Sequence, residues 1–137
     1  MSYIPANLRR LVIQRAASRC EYCRLSQIGQ EATFHIDHVL PVKRGGETIA
    51  KNLALACVSC SLHKAARYKV LDLVSGGDVD LYNPRHDNWN DHFEWHGDYI
   101  IGLTATGRAT EAALKLNRTL ALAIRHEEAA IGRHPPV

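Results

Sequence analysis

Residues 34–46, FHIDHVLPVKRGG, contain two adjacent side chains whose types suit metal and acid–base chemistry. Asp37 supplies a carboxylate, the kind of ligand that hard Mg²⁺ and Mn²⁺ ions prefer. His38 supplies an imidazole, a group whose ordinary pKa near neutrality suits a general base. A base that deprotonates water and a cation that neutralises charge around phosphorus are together what metal-assisted phosphodiester hydrolysis requires. An Asp-His dipeptide alone is weak evidence for this chemistry, which depends on the elements around it.

The pair ends a predicted strand over residues 33–39, in which polar and apolar residues alternate until a proline follows. A turn-rich loop comes next, and Asn52 then leads into the short apolar run 53–56. Because an asparagine side chain can bond to nearby backbone groups, Asn52 is expected to hold the loop and keep His38 aimed. A helix is predicted over residues 59–69. The predicted order is therefore strand, long loop, strand and helix.

Two CxxC pairs, CEYC and CVSC, flank this segment and account for all four cysteines of the chain. Disulfides do not persist in a reducing compartment, whereas four thiolates provide the full tetrahedral shell of a structural zinc ion. Four buried thiols or a redox CxxC are the alternatives, although neither pair has the strand–CxxC–helix context of a redox site. A closed thiolate shell is expected to hold the fold and perform no chemistry. The predicted zinc ligands are Cys20, Cys23, Cys57 and Cys60.

The composition, with 46% hydrophobic and 23% charged residues among 137, predicts one globular domain. No apolar run approaches the ~18 residues of a membrane-spanning helix, and residues 1–5 lack the apolar region of a secretory signal. We therefore expect a cytoplasmic protein with no membrane partner. The formal net charge of +3 is compatible with a polyanionic partner but is weak evidence by itself. The sequence does not indicate an oligomeric state.

The rest of the chain shows helical and hairpin patterns. Residues 7–19 are predicted to form an amphipathic helix, and residues 70–82 and 93–103 two hairpins with glycine-containing turns. Helices are predicted over residues 107–116 and after Asn117, which would be the N-cap of the last helix. An apolar stripe on this last segment is predicted to face the core. It consists of Leu116, Leu120, Ile124 and Ile131.

The succession CEYC, HIDHVLPVKRGGE and NLALACVSCSLHK over residues 20–64 resembles the HNH endonuclease family, with its ββα-metal fold and zinc-bound cysteine pairs. The resemblance implies an α+β fold: a zinc-stabilised HNH core with an N-terminal helix and a C-terminal hairpin and helix extension. We expect a single domain over residues 1–137, with the core at about 20–69 and the extension at about 70–131. The later segments LYNPRHDNWNDHF and GLTATGRAT are similar to the C-terminal part of small bacterial HNH proteins.

The resemblance also implies a function and a role for each matching residue. The function is metal-dependent hydrolysis of DNA phosphodiester bonds, with double-stranded DNA as the expected partner. His38 would be the general base, Asp37 a ligand of the catalytic Mg²⁺ or Mn²⁺, and Asn52 the middle asparagine of the motif. The structural Zn²⁺ would be a second, separate metal. Lys64 and Arg67, which follow the second cysteine pair, are assigned to nucleic-acid binding.

The chain departs from the family pattern at one position. Families of this kind usually place His or Asn directly after the fourth cysteine as a second metal ligand, and this chain has Ser61 there. A serine hydroxyl is a poor ligand, so His63 could contribute, a water on Ser61 could bridge to the ion, or activity could be lost. His35, on the same side of its strand as Asp37, could serve the site or be a half-buried strand histidine. The alternative function is a non-catalytic zinc module that binds nucleic acid or protein.

Overall fold

Short helices alternate with two-stranded antiparallel sheets in the computed structural model, which describes residues 3–136. This mixture of elements confirms the predicted α+β fold class. The elements divide between two units. The first comprises Asn83–Asp87 and the chain up to Tyr68, and the second comprises Lys69–Tyr82 and the chain from Asn88 onward. The single domain expected from the sequence stays a prediction.

Part of the expectation that a secretory signal is missing rests on Met1 and Ser2, which lie outside the described residues. Val137 also lies outside the described residues. Within residues 3–136, no helix combines the length and the apolar character that crossing a membrane requires.

The described residues of the first unit form one strand pair and two helices. Its elements are α1 (Ala6–Arg15), β1 (His35–His38), β2 (Leu53–Ala56) and α2 (Val58–Lys64), with 3₁₀ turns at Val42–Arg44 and Ala50–Asn52. β1 pairs antiparallel with β2, so that His35 lies opposite Ala56 and His38 lies opposite Leu53. The order of strand, long loop, strand and helix is therefore the one that the sequence predicts.

β2 lies at the centre of this unit, because all four of its residues are buried. An unbroken apolar run is typical of a strand that is covered on both faces. α1 packs against β2 with Val12 fully buried. The Arg15 guanidinium at the end of α1 donates hydrogen bonds to the carbonyl oxygens of Ala50 (2.9 Å) and Leu53 (2.6 Å). The first helix thus fixes the strand that pairs with the Asp-His segment.

Two helices of this unit end earlier than the sequence pattern predicts. α1 ends at Arg15, and the chain then turns because Ala17 and Ser18 have positive φ angles of 53° and 58°. α2 ends at Lys64, because Ala65 has φ 50° and ψ −132°, a combination that is unfavourable for a residue with a Cβ. Hydrophobic periodicity does not reveal such single left-handed residues, which explains both differences.

The second unit, as far as residue 136, contains two hairpins and three helices. Its elements are β3 (Lys69–Leu71), β4 (Asp78–Asp80), α3 (Trp89–His92), β5 (Phe93–His96), β6 (Tyr99–Gly102), α4 (Ala105–Ala113) and α5 (Thr119–Ala130). β3 pairs with β4 and β5 with β6, so both predicted hairpins are present. α4 contacts β3, β4 and β6. It approaches β6 closely at Gly102, where an added Cβ would lie 2.4 Å from the backbone nitrogen of Arg108.

The predicted start and buried face of the last helix are wrong. Asn117 is not its N-cap, because α5 begins at Thr119. The Asn117 side chain instead pairs with the backbone of Ile100, accepting from its N–H (2.8 Å) and donating to its carbonyl (2.7 Å). Leu116 of the predicted stripe is buried, but Leu120 and Ile131 are more than half exposed. The buried residues of α5 are Ala121, Arg125 and Glu128.

An ion pair in the second unit makes its stability depend on pH. Asp72 is 1% exposed, and its carboxylate accepts hydrogen bonds from the Arg108 guanidinium (3.1 Å) and the backbone N–H of Ser75 (3.1 Å). These bonds, with that from Arg108 the strongest, lower the pKa of Asp72 to about 2. A carboxyl whose pKa is lower in the folded than in the unfolded state stabilises the fold above its unfolded pKa of ~3.9. This contribution is lost as the pH falls through the folded pKa.

Asp72→Asn should therefore lower the thermal midpoint at pH 7, and the difference from the wild type should shrink as the pH falls below ~4. Circular dichroism melts at pH 7, 5, 4, 3 and 2 would measure this difference. Asp80→Asn is the matched control, because Asp80 is 72% exposed in its pair with Lys69 and should change the midpoint little. An equal loss for Asp72→Asn at pH 7 and at pH 2 would contradict the ionic contribution.

Candidate functional site

The four cysteines of the first unit meet at one point, and all four are buried. Their Sγ atoms all lie within 4.8 Å of one another, and the Sγ atoms of Cys23 and Cys57 are 3.7 Å apart. With Zn–S bonds of ~2.3 Å, two ligands of a tetrahedral zinc site lie about 3.8 Å apart. The observed spacing therefore suits a structural zinc ion.

The two CxxC segments have the same local geometry. In each, the backbone N–H of the second cysteine donates to the Sγ of the first at 3.4 Å, from Cys23 to Cys20 and from Cys60 to Cys57. Hydrogen bonds with the other three cysteines, together with burial, raise the pKa of the Cys60 thiol well above its ordinary value. Four thiolates cannot share this volume unless a cation balances their charge. The cluster is thus chemically matched to a divalent ion.

Two residues that the sequence analysis does not identify tie the first cysteine pair to β2. Glu21 is 6% exposed, and its carboxylate accepts from the backbone N–H of Leu55 (2.8 Å) while pairing with the Arg85 guanidinium. The backbone N–H of Glu21 also donates to the Leu55 carbonyl (2.8 Å). No sequence signal could reveal the partnership of Glu21 and Arg85, because 64 positions separate them.

Asp37 lies on β1 with its carboxylate largely enclosed by two partners. It is 9% exposed, its Oδ2 accepts from the Tyr22 hydroxyl (2.7 Å), and the Lys64 ammonium lies 3.2 Å from the same oxygen. The Lys64 ammonium also donates to the backbone carbonyl of His38 (3.0 Å). Burial raises the pKa of Asp37, and the charge of Lys64 opposes this rise. Tyr22 and Lys64 thereby orient the carboxylate, and Lys64 also balances its charge.

His38 is half-buried at the end of β1. Its Nε2 lies 2.9 Å from Thr48 Oγ1, which fixes the plane of the ring. Burial lowers the pKa of His38, and the nearby Asp37 carboxylate opposes this shift. A lowered pKa favours the neutral imidazole at pH 7, which is the form that accepts a proton.

Asn52 closes the loop between β1 and β2 from both sides. Its Oδ1 accepts from the backbone N–H of Leu40 (2.8 Å), and its Nδ2 donates to the carbonyls of Leu40 (3.0 Å) and Glu47 (2.9 Å). A glycine is required at position 46, because a Cβ there would lie 1.7 Å from the Leu40 carbonyl oxygen. The loop that follows His38 is therefore held by the side chain of Asn52, as the sequence suggests.

A cleft of about 520 Å³ opens between β1, the following loop and the end of α2. Three of the residues singled out in the sequence lie along it: Asp37, His38 and Ser61. Asn52 acts behind the cleft, through the loop. The lining residues are Ile36, Asp37, His38, Pro41, Val42, Lys43, Ser61, Ala65 and Ala66. A carboxylate, an imidazole and a hydroxyl thus share one opening that a phosphate group could enter.

Ser61 and His63, the other two candidate ligands of the catalytic ion, are both on α2, but only Ser61 lines the cleft. Ser61 Oγ, on α2, is 2.9 Å from the Nδ1 of His35. His63 is two residues further along α2, and its Nδ1 bonds to the carbonyl of Ser59 (2.8 Å) within the same helix. Among the described residues, His63 is not part of the cleft lining, whereas Ser61 is.

The residues assigned to nucleic-acid binding differ in exposure. Lys64 is 1% exposed, with its ammonium group bound to Asp37 and to the His38 carbonyl. Arg67 is exposed and donates to backbone carbonyls at the end of α2. Lys64 thus orients the Asp-His pair from behind, and Arg67 lies on the surface beyond it. Their contacts with nucleic acid stay predictions.

Comparison with known proteins identifies one family. Residues 20–67 match the model of the HNH endonuclease family. Neither the curated proteins nor the solved structures gave a significant match. The matched segment begins at the first cysteine, ends after α2, and contains β1, β2 and the whole four-cysteine cluster. Residues 20–67 are therefore an HNH-type segment with a cysteine cluster suited to zinc, and the match indicates a nuclease-type function.

Proposed function

We propose that this protein is a metal-dependent endonuclease that hydrolyses phosphodiester bonds of DNA, with double-stranded DNA as its expected substrate. The observation that carries the proposal is the meeting of Asp37, His38 and Ser61 in one cleft within the segment that matches HNH endonucleases. The four-cysteine cluster would hold a zinc ion that stabilises this segment and takes no part in the reaction. The cytoplasmic location that the sequence predicts stays part of this proposal.

His38 would act as the general base. If its Nε2 carries the proton and donates to Thr48, as the 2.9 Å distance allows, its Nδ1 holds the lone pair that would remove a proton from water. Thr48 would then set the tautomer of the base, and Asn52 would hold the loop between the two. Half-burial keeps the imidazole neutral yet reachable from the cleft.

The oxygens of Asp37 and Ser61 would hold a catalytic Mg²⁺ or Mn²⁺. Both residues line the cleft, and carboxylate and hydroxyl oxygens are ligands that such hard cations accept. When bound, the ion supplies positive charge to the phosphate and to the departing oxygen. Lys64 already balances the charge of Asp37, so the site as a whole is nearly neutral. Asp37 should therefore bind the ion weakly until a substrate phosphate adds negative charge.

The direct test is cleavage of supercoiled plasmid DNA by the zinc-loaded protein. Nicked or linear product should form with Mg²⁺ or Mn²⁺ and should not form when the added ion is replaced by a chelator too weak to remove zinc. The Asp37→Asn variant, prepared in parallel, should show that the product depends on this site and not on a contaminating nuclease. A folded, zinc-loaded protein that is inert with every divalent ion would refute the proposal.

A non-catalytic zinc module is the second candidate, and two observations favour it. Ser61 stands where the family usually has a stronger ligand, and the Lys64 ammonium lies 3.2 Å from Asp37, the one carboxylate among the described residues that line the cleft. Such a module would bind nucleic acid or protein without cutting it. Retention of DNA in an electrophoretic shift, without cleavage in any metal, would support this candidate.

Ser61→Asn should lower the Mg²⁺ concentration needed for half-maximal cleavage by about tenfold, if the added amide oxygen contributes ~1.4 kcal/mol to binding. The physical reason is that an amide oxygen is a better ligand than a serine hydroxyl. A Mg²⁺ titration of plasmid cleavage would measure it. Ser59→Asn is the matched control, because Ser59 is on the same helix and is not among the residues lining the cleft. If both variants behave like the wild type, Ser61 does not contact the ion.

A further inference from the structure

We propose that His35 supplies a nitrogen ligand of the catalytic divalent ion, beside the oxygens of Asp37 and Ser61. This inference rests on the proposed function, because it concerns the ion of that site. It differs from the sequence-based alternative, in which His63 would contribute. Three independent features of the first unit support it.

The first feature is the side of β1 on which the two residues lie. His35 and Asp37 are two residues apart, so their side chains point to the same face of the strand pair. Their partners on β2 are Ala56 and Ala54. Both partners are alanines, so each contributes only a methyl group on this face of the strand pair. A histidine and a carboxylate two residues apart on a strand can therefore approach one ion.

The second feature is the distance between His35 and Ser61. His35 Nδ1 lies 2.9 Å from Ser61 Oγ. Adjacent ligands of an octahedral ion with bonds of ~2.1 Å lie about 3.0 Å apart. The hydrogen-bonded pair thus already has the spacing of two neighbouring ligands. Ser61 also lines the cleft together with Asp37, so the imidazole of His35 lies one hydrogen bond away from the cleft.

The third feature is the position of the other histidines of this segment. His63 Nδ1 is bonded to the Ser59 carbonyl at 2.8 Å, and His38 Nε2 is next to Thr48. His35 is exposed and is not itself among the residues that line the cleft, but its hydrogen-bond partner Ser61 is. Of the three histidines in the matched segment, His35 is therefore the one that the fold places beside Ser61.

A nitrogen ligand at this position has a consequence for the choice of metal. Lys64 balances the charge of Asp37, so the ion gains little from electrostatics and depends more on the donors that surround it. Imidazole nitrogen binds Mn²⁺ more readily than it binds Mg²⁺. The wild-type protein should therefore bind Mn²⁺ more tightly than Mg²⁺, and the preference should diminish in His35→Gln.

The experiment uses electron paramagnetic resonance of Mn²⁺ bound to the zinc-loaded protein in the presence of a short DNA duplex. The His38→Ala background prevents turnover and removes one histidine from the measurement. Spin-echo modulation should show a directly bound imidazole nitrogen in this background. Adding His35→Gln should abolish that nitrogen signal and weaken Mn²⁺ binding about tenfold or more. Adding His63→Gln should leave both unchanged, with far-UV spectra and zinc content as controls for folding.

The outcomes separate this inference from the proposed function. A nitrogen signal that survives His35→Gln, or bound Mn²⁺ that shows no nitrogen coupling, would overturn the assignment of His35. The assignment would also be overturned if the protein with DNA bound no Mn²⁺. Plasmid cleavage by the wild type in any of these cases would leave the nuclease proposal standing. A nitrogen signal that depends on His35, in a protein whose wild type cuts nothing, would support the ligand and refute the nuclease.

Discussion

Cys57→Ser should leave no stably folded first unit at neutral pH. The apparent free energy of zinc binding at a four-cysteine site is on the order of 10 kcal/mol, which is similar to the whole free energy of unfolding of a typical domain, ~5–15 kcal/mol. Serine has nearly the shape of cysteine but does not ionise to a thiolate ligand. The loss would therefore be a loss of the metal rather than of packing. Soluble yield, far-UV circular dichroism and elemental analysis for zinc would measure it.

Ser59→Ala provides the matched control for this variant, since Ser59 lies between the two cysteines of the second pair and is not one of the four clustered thiols. It should fold and retain one zinc per chain. A folded Cys57→Ser protein that contains no zinc would show that the fold of this unit does not depend on the metal. Zinc absent from a folded and active wild type would have the same meaning.

His38→Ala should reduce the rate of plasmid cleavage by ~10²–10⁴-fold, the usual contribution of a general base. The fold should survive this change, because His38 is only half-buried and its side chain bonds to Thr48 rather than to the cysteine cluster. Far-UV spectra and zinc content should match the wild type. Single-turnover cleavage at saturating Mn²⁺ would measure the chemical step without a contribution from metal affinity.

His63→Ala is the control for His38→Ala, because His63 bonds within its own helix and should leave the rate nearly unchanged. The two variants remove the same group from the same unit, so a difference between them reflects position. If His38→Ala cuts as fast as the wild type, His38 is not the base. The cleavage would then come from a different base or from a contaminating nuclease.

The core of the HNH-type segment and one hairpin of the second unit could be predicted because their sequence signals are local. The apolar run at 53–56 coincides with β2, and the hairpin at Phe93–His96 and Tyr99–Gly102 in the second unit lies where glycine and alternation place it. Two CxxC pairs indicate one metal whatever lies between them, because four thiolates are needed to complete a shell. Short-range patterns were sufficient for these elements.

The remaining features depend on partners that are distant in the chain. Asn117 has the residue type of an N-cap, but its side chain forms hydrogen bonds with the backbone of Ile100 instead. Leu120 resembles a core residue, yet α5 buries Arg125 instead, whose guanidinium donates to the Asp98 carbonyl (2.9 Å). Such choices are made by tertiary hydrogen bonds that no window of neighbouring residues contains.

In the candidate site, too, the residues with local sequence signals were predictable and the contacts between distant residues were not. The types and spacing of Asp37, His38 and Asn52 predict them as site residues, and the structure brings the first two to the cleft and the third to the loop behind it. The burial of Lys64 was not predictable, because a lysine near the end of a helix usually faces solvent. Its pairing with Asp37 depends on β1 and α2 meeting across 27 positions.

The pairing of Glu21 with Arg85 has a consequence for how this segment could be inherited or transplanted. Asn83–Asp87 belongs to the first unit although Lys69–Tyr82 belongs to the second. A gene fusion that copied only residues 20–67 would carry all four thiols but would leave the buried Glu21 carboxylate without its guanidinium. An unpaired buried charge costs several kcal/mol, so the copied piece would be poorly stable. A transferred segment that keeps this ion pair must therefore extend through Asp87 and include the β3–β4 hairpin. During translation, the first unit is complete only after this hairpin and Asn83–Asp87 have left the ribosome.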